Sequence, residues 1–443
     1  MSVKQSAGKD RIQSIFEEGT FCELGSWIKK PADGSPYSNI VIGYGSIGGK
    51  LAYALWQDET VSSGALDDTG AGKIEMIYKA ALTSGAPVIT VFNGNGAFVE
   101  DGCSALNAFA RFMNCVSKAK NRIPQIAVIR GVCTGVSAVI AEMNDIVISV
   151  KDAAKFYVNS PFLTGLEKSM NCHNGMTSYL AGNEEEAYAT VSKLIGLLPS
   201  TCCDGIQVNE SKDDVNREFS GNLEDVSSVL ENLFDNSGYM ELKKDYGTEL
   251  VTAIGSVGGV TSGVLLSNRA VNEGRLTRDG ADKGKAFVDF CNAFHLPLVV
   301  LINSVGVANT AEEEKSLLAV SLASFNLALA KAAVPKISVV LQVAFGSAFV
   351  GMGSKSMGID VAYALEDSQI STMEPDRAVA FLWNEKVGKE GSREELEKQW
   401  TEQYATSVRA AEKGMIDDIL PAAELRKRII SSLYMLMRKN DDV

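Results

Sequence analysis

Apolar and polar positions along this chain follow two rhythms, and the sequence of rhythms is played twice. Across residues 39–55 apolar residues alternate around Gly43, Gly45, Gly48 and Gly49, the period-2 pattern of hairpin strands. Ahead of them, residues 10–16 spell a short amphipathic helix, Glu17-Glu18-Gly19 breaks it, and residues 20–24 read as extended. Solid apolar runs at 86–91 and 124–129 are the pattern of buried strands, and helical spacing covers 71–84 and 102–119. Strands alternating with helices over short connections predict an α/β fold with parallel sheets and right-handed crossovers.

The plan then restarts, with a helix from Asp225, an extended piece from Gly238 and strands through Gly263 to Asn268. Pro87 and Pro297 lie 210 residues apart, and Pro124 with Pro335, like Gly135 with Gly346, lie 211 apart. So steady an offset means one fold used in tandem. Residues 183–198 read as helix and 202–222 as polar loop, which places the boundary near Asn222 and gives domains 1–222 and 223–443. Helical stretches are expected at 279–294 and 311–331 and, after the charged turn at 388–392, at 393–413 and 423–438.

Both halves also share a proline, an apolar strand, a glycine turn and a small-residue helix start. The first copy runs from Pro124 through Gly131 to Gly135-Val136-Ser137-Ala138, the second from Pro335 to Phe345-Gly346-Ser347-Ala348-Phe349. A helix start presents unpaired N–H groups and the positive end of a dipole, so it holds a developing anion without a charged side chain. Each glycine alone reads plainly as a tight turn, but recurrence at corresponding points favours a functional role. A second candidate wall is the turn after the central strand, Asn93-Gly94-Asn95-Gly96-Ala97 in one half and Asn303-Ser304-Val305-Gly306 in the other. Turn and helix start together would form an oxyanion hole, in which one donor contributes on the order of 100- to 1000-fold in rate. Such a site suits enolate chemistry beside a thioester and needs no acidic or basic side chain if the substrate or cofactor supplies the base.

Composition narrows the classes. The net charge of −13 argues against nucleic-acid binding, which needs a basic face. Eight cysteines without a C-x-x-C pair and only two histidines, His173 and His295, argue against zinc sites, disulfide frameworks and a serine–histidine mechanism. Cys103, Cys115, Cys133 and Cys291 read as small buried hydrophobes. With a polar beginning and no apolar run of about 18 residues, a soluble cytoplasmic protein is expected. Asp279 with Lys283, Glu312-Glu313-Glu314 and Asp417-Asp418 read as helix caps and solvated faces, as does the basic end around Arg426-Lys427-Arg428.

The chain resembles the carboxyltransferase subunits of biotin-dependent acyl-CoA carboxylases and decarboxylases, crotonase-superfamily proteins with two tandem crotonase-like domains. The residues that carry the resemblance span nearly the whole length: Asp10-Arg11-Ile12 through Gly19-Thr20-Phe21-Cys22-Glu23-Leu24, and Leu197-Leu198-Pro199-Ser200. In the second half they are Asn268 with Gly274, Leu276, Asp279, Ala281 and Lys283, then Phe287 to Phe294, Met352-Gly353-Ser354-Lys355, and Ala411 to Ile419.

The resemblance implies that carboxybiotin releases carbon dioxide, that its ureide takes the α-proton of an acyl-CoA of the acetyl or propionyl class, and that the enolate recaptures the carbon dioxide. Carried over by position, it implies Gly135 and Val136 as the catalytic helix start of an acyl-CoA domain, and Ser347 and Ala348 as that of a biotin domain. Gly96, Ala97, Gly306 and Gly346 would then cradle coenzyme A thioester and biotin. It also implies a homo-oligomer, a hexamer, with each site shared between subunits. The partners would be a separate biotin carrier protein and either a biotin carboxylase or a membrane decarboxylase subunit, since this chain has no Ala-Met-Lys-Met biotinylation sequence.

The family usually has Gly-Gly where this chain has Gly135-Val136, and Tyr-Gly-Gly-Ala where it has Phe345-Gly346-Ser347-Ala348. Asn303 to Val307 replaces an Asp-x-Pro-Gly-Phe turn, Phe98 stands where arginine is common, and Glu374 where glycine is common. Three other readings stay open: a subunit of a sodium-pumping decarboxylase, since the transfer is the same reaction reversed; a non-catalytic scaffold with drifted sites, motivated by the departures at Val136, Asn303 and Glu374; and a biotin-independent hydratase or hydrolase using Glu100 and Asp101.

Overall fold

A computed structural model describes residues 7–28, 38–165, 173–211 and 213–439. The chain divides into two compact units, 1–205 and 206–443.

In the first unit, β1 (Cys22–Leu24), β2 (Ile40–Ile47) and β3 (Lys50–Gln57) pair antiparallel. From β3 onward the sheet is parallel, through β4 (Val88–Gly94), β5 (Gln125–Thr134), β6 (Ile146–Val150) and β8 (Tyr179–Ala181), while β7 (Lys155–Tyr157) pairs with the far end of β5. Helices Asp68–Ser84 and Cys103–Ala119 make the crossovers and bury Ile74, Ile77, Phe109 and Phe112 in the core. Asp67 starts the first of them by accepting the Gly70 N–H at 2.6 Å.

The second unit repeats this order. The strands β9 (Tyr239–Leu242), β10 (Leu250–Val257) and β11 (Val260–Ser267) are antiparallel. The parallel part runs through β12 (Leu298–Ser304), β13 (Lys336–Phe345), β14 (Val361–Leu365) and β16 (Asp418–Leu420), with β15 (Gln369–Ser371) on the far end of β13. In both sheets the register slips where the two central strands leave each other, between Phe92 and Gly94 and between Ile302 and Ser304. Such irregularities re-aim the chain beside functional sites.

Several sequence expectations shift: Cys103, read as buried, is exposed, and the helix expected over 393–413 is Arg393–Trp400 and Ser407–Glu412 with a π turn between them. The boundary falls at 205/206 rather than near Asn222, because the intervening loop packs on the second sheet. Val208 bridges Val260, and the fully buried Arg426 donates to the Asp214 carbonyl at 2.7 Å and to Asp213 at 3.3 Å. The helix expected over 311–331 is two, Ala311–Lys315 and Leu318–Lys331, parted at Leu317 with its φ of 68°. In place of a regular helix after Gly346, residues Phe349–Gly353 form one wide π turn. There a Cβ on Gly351 or Gly353 would lie 2.6 Å from the Asn326 or Ile302 side chain, which would have to move aside.

Lys73 and Lys283, also 210 apart, are both buried, and burial lowers each ammonium to about 8. The Lys283 ammonium donates to the Tyr246 carbonyl at 2.9 Å. Since the unfolded chain holds that proton up to about pH 10, it binds more protons than the folded chain between about 8 and 10, and stability rises with pH across that window. Urea unfolding at pH 8 and pH 10 should therefore shift in favour of the wild type relative to Lys283→Met; a pH-independent difference contradicts this.

Candidate active site

The walls of each candidate site are backbone. After β3, residues Ser62, Ser63 and Gly64 take φ of 49°, 52° and 68°, a left-handed run that L-residues enter at a cost of roughly 1–2 kcal/mol each. The run is pinned to the turn after β4: Asn95 N–H donates to the Ser63 carbonyl at 3.1 Å, Leu66 N–H to Gly96 at 2.8 Å and Phe98 N–H to Leu66 at 2.9 Å. A Cβ on Gly64 would lie 2.4 Å from the Asn93 carbonyl oxygen, so only glycine fits. The second unit does the same with Asn272, Glu273 and Gly274, at 47°, 55° and 71°, where a Cβ on Gly274 would lie 2.4 Å from the Asn303 oxygen. Sequence reasoning missed these runs. Their signal was Ser-Ser-Gly and Asn-Glu-Gly at the same 210-residue offset.

At the first helix start, Gly135 adopts φ 62° and ψ −129°, and helix Val136–Met143 follows. Its own N–H is not available to a ligand, because it donates to the carbonyls of Tyr157 and Val158 at 3.2 and 3.1 Å. Gly135 is thus the turn-maker, and the open N–H groups belong to the next two residues. Among the described residues, the N–H groups of Val136 and Ser137 have no acceptor, and Val136 is 43% exposed. The second unit matches: Gly346, at φ 52°, donates to the Ser371 carbonyl at 2.9 Å, which leaves the N–H groups of Ser347 and Ala348 without an acceptor among the described residues.

The turn residues divide. Gly96 has open space where a Cβ would stand, and Ala97 bridges Leu66. The Gly306 N–H is taken by Ser304 Oγ at 3.1 Å, so this glycine shapes the turn instead of donating to a ligand. Asn93 Oδ1 accepts the Val132 N–H at 3.1 Å. Its counterpart Asn303 instead sends Nδ2 to Gln342 at 2.8 Å, leaving a buried Oδ1 with no partner among the described residues.

The charged clusters are structural. Asp279 accepts from the Tyr246 hydroxyl at 3.1 Å, Glu313 from the Arg278 N–H at 2.8 Å, and Asp417 from the Ala362 N–H at 2.8 Å. Asp418 pairs with Arg428. Burial pushes the Cys133 and Cys291 thiols well above their usual range, which suits packing residues and not nucleophiles. Glu100, on the turn Val99–Asp101, is exposed to solvent. Glu374 has a partner that the sequence did not announce, the buried Arg275 at 2.6 Å.

Residues 6–443 match the family described as the carboxyl transferase domain. The chain is similar to the methylmalonyl-CoA decarboxylase subunit alpha of Veillonella parvula, 28% identical over 98% of this chain and 90% of that protein. It is also similar to the propionyl-CoA carboxylase carboxyltransferase subunit of Haloferax mediterranei, 26% identical over 97% and 90%. Among solved structures, a transcarboxylase 12S described as a hexamer, with methylmalonyl-CoA and methylmalonic acid bound, superposes with a TM-score of 0.90 at 27% identity, covering 99% of this chain and 91% of that one.

Proposed function

We propose, for a chain that belongs to the carboxyl transferase domain family and has the crotonase-like fold, that it moves a carboxyl group between carboxybiotin on a carrier protein and a short acyl-CoA. The observation that carries the reading is the duplicated helix start, each with two backbone N–H groups that lack an acceptor among the described residues.

In the acyl-CoA unit, Val136 and Ser137 donate to the thioester oxygen, and their dipoles strengthen that bond as charge moves onto the oxygen during removal of the α-proton. Gly96 leaves room for the thioester to approach. In the biotin unit, Ser347 and Ala348 donate to the ureide carbonyl. A cyclic urea offers the carbonyl that these donors require. Bound carboxybiotin supplies the carboxyl group and the base. Both new side chains, Val136 and Ser347, leave the backbone donor in place, so neither departure removes the chemistry.

The same transfer serves an ATP-driven carboxylase or a decarboxylase; among the described residues no helix is long and apolar enough to cross a membrane. We place the protein in the cytoplasm as a hexamer, with a biotin carrier and either a biotin carboxylase or a membrane decarboxylase subunit as partners. Its reading is tested by supplying carboxybiotin with acetyl-CoA or propionyl-CoA. Formation of malonyl-CoA or methylmalonyl-CoA is expected; failure with both thioesters while carboxybiotin stays intact contradicts it.

A further inference from the structure

We propose that the Arg275–Glu374 ion pair is a positioning device for the second unit's site, clamping together the two segments that set its backbone donors; this rests on the biotin reading of that unit. Arg275 is 6% exposed, and its Nη2 lies 2.6 Å from Glu374 Oε1 and 3.2 Å from Glu273 Oε2.

Each end is fixed to the site through backbone. Arg275 follows directly on the left-handed run that grips the Asn303–Gly306 turn, through Val305 N–H to the Glu273 carbonyl at 3.3 Å and Leu276 N–H to Gly306 at 3.1 Å. Glu374 closes the segment whose Ser371 carbonyl holds the Gly346 N–H at 2.9 Å, and a Cβ on Gly346 would already sit 3.1 Å from the Thr372 oxygen. The pair therefore ties the turn wall to the helix-start wall. Glu374 and Glu273, with Val305 and Phe345, also line a pocket of about 610 Å³.

The sister unit shows that the fold does not require this pair. Ala65 stands where Arg275 does, directly after the positive-φ glycine, and Ser160 stands where Glu374 does, directly before the helix-starting proline. Ser160 caps its helix by accepting the Phe162 N–H. Glu374, at the same position, makes no cap and turns its side chain to Arg275 instead. A buried ion pair is weak evidence for stability, since desolvation offsets most of the attraction. An arrangement that forgoes a cap to bury an arginine, in one unit of two that otherwise share a backbone, points to local geometry as its role.

The double variant R275A/E374S installs the sister unit's residues and E374Q removes only the charge. Both are expected to unfold at wild-type temperature within a few degrees. In biotin-dependent decarboxylation of malonyl-CoA or methylmalonyl-CoA, both should raise the KM for biotin about tenfold while leaving the thioester KM within about twofold, the split expected of a misplaced wall in one site only. Independently of activity, the Gly346 and Val350 amides should exchange with deuterium about tenfold faster in both variants, with no change at the Val139 amide of the first unit. Unchanged biotin KM together with unchanged exchange overturns the proposal. A wild type without biotin-dependent turnover refutes the function reading instead, and the exchange rates then decide alone whether the pair positions the site.

Discussion

Val136→Pro is expected to lower kcat for carboxyl transfer about 100- to 1000-fold while the protein stays folded and its KM for the thioester changes only a few-fold. Proline at the first helical position keeps the helix, because its φ is already helical there and the N–H it lacks has no helical partner. Val136 occupies that position. Proline also restricts the residue before it, but Gly135 at φ 62° and ψ −129° is close to the mirror image of the polyproline conformation that pre-proline residues favour, and glycine adopts it without a Cβ penalty. The substitution thus deletes one hydrogen-bond donor and little else. Val136→Ala, which keeps the donor, should retain kcat near wild type. Steady-state kinetics with a thermal melt on each variant separate these outcomes, and wild-type kcat in the proline variant removes Val136 from the machinery.

Arg426→Met should cost about 3–5 kcal/mol of unfolding free energy, the effect of stranding the buried Asp235 carboxylate. The guanidinium is completely buried and reaches four acceptors: Asp235 at 2.6 Å, Asp213 at 3.3 Å, and the carbonyls of Asp214 at 2.7 Å and Leu233 at 3.2 Å. Asp235 in turn accepts the Gly258 and Gly259 N–H groups at 2.8 and 2.7 Å, so the loss spreads to the hairpin between β10 and β11. Asp213 is held down to about 2 by hydrogen bonds from Arg217, with Asn236 and Arg426 adding to the effect. A carboxyl depressed in the folded state stabilises above its unfolded value near 4 and loses that contribution as pH falls from about 4 to 2. Denaturant unfolding of wild type and variant at pH 7 checks the size of the loss; a difference under about 1 kcal/mol would mean the network contributes little.

The tandem fold was legible because its signal is periodic. Proline-led apolar runs ahead of glycine turns recur at a nearly constant offset, and the strands and the crossover helices of the first unit fall where that pattern places them, whereas the helix over 311–331 breaks at Leu317 and the one after Gly346 widens into a π turn. The site was legible only to the level of a segment. Gly135 and Gly346 were natural candidates as donors, yet their N–H groups point at Tyr157, Val158 and Ser371, at the ends of strands that come later in the chain, and no local pattern encodes that direction. The left-handed runs at 62–64 and 272–274 escaped for the same reason: Ser and Glu carry no preference for positive φ, Asn272 alone is a weak cue, and what holds the runs there is the turn they lie against. Arg426 and Asp213 are 213 residues apart, so the tie that moves the boundary from Asn222 to Gly205 had no sequence signature. Glu374 stood out as a departure, but only its contact with Arg275 shows what the departure does.

Carboxyl transfer on backbone donors is tested most directly in reverse, because malonyl-CoA, methylmalonyl-CoA and free biotin are stable reagents whereas carboxybiotin decomposes. The purified protein is incubated with either thioester, with and without biotin, and loss of the carboxylated thioester is followed. Loss that saturates with biotin and vanishes in its absence, from at least one of the two thioesters, is the expected result. Loss at the same rate with and without biotin, or none with either thioester from a folded protein, contradicts the assignment of this chain as a working carboxyltransferase.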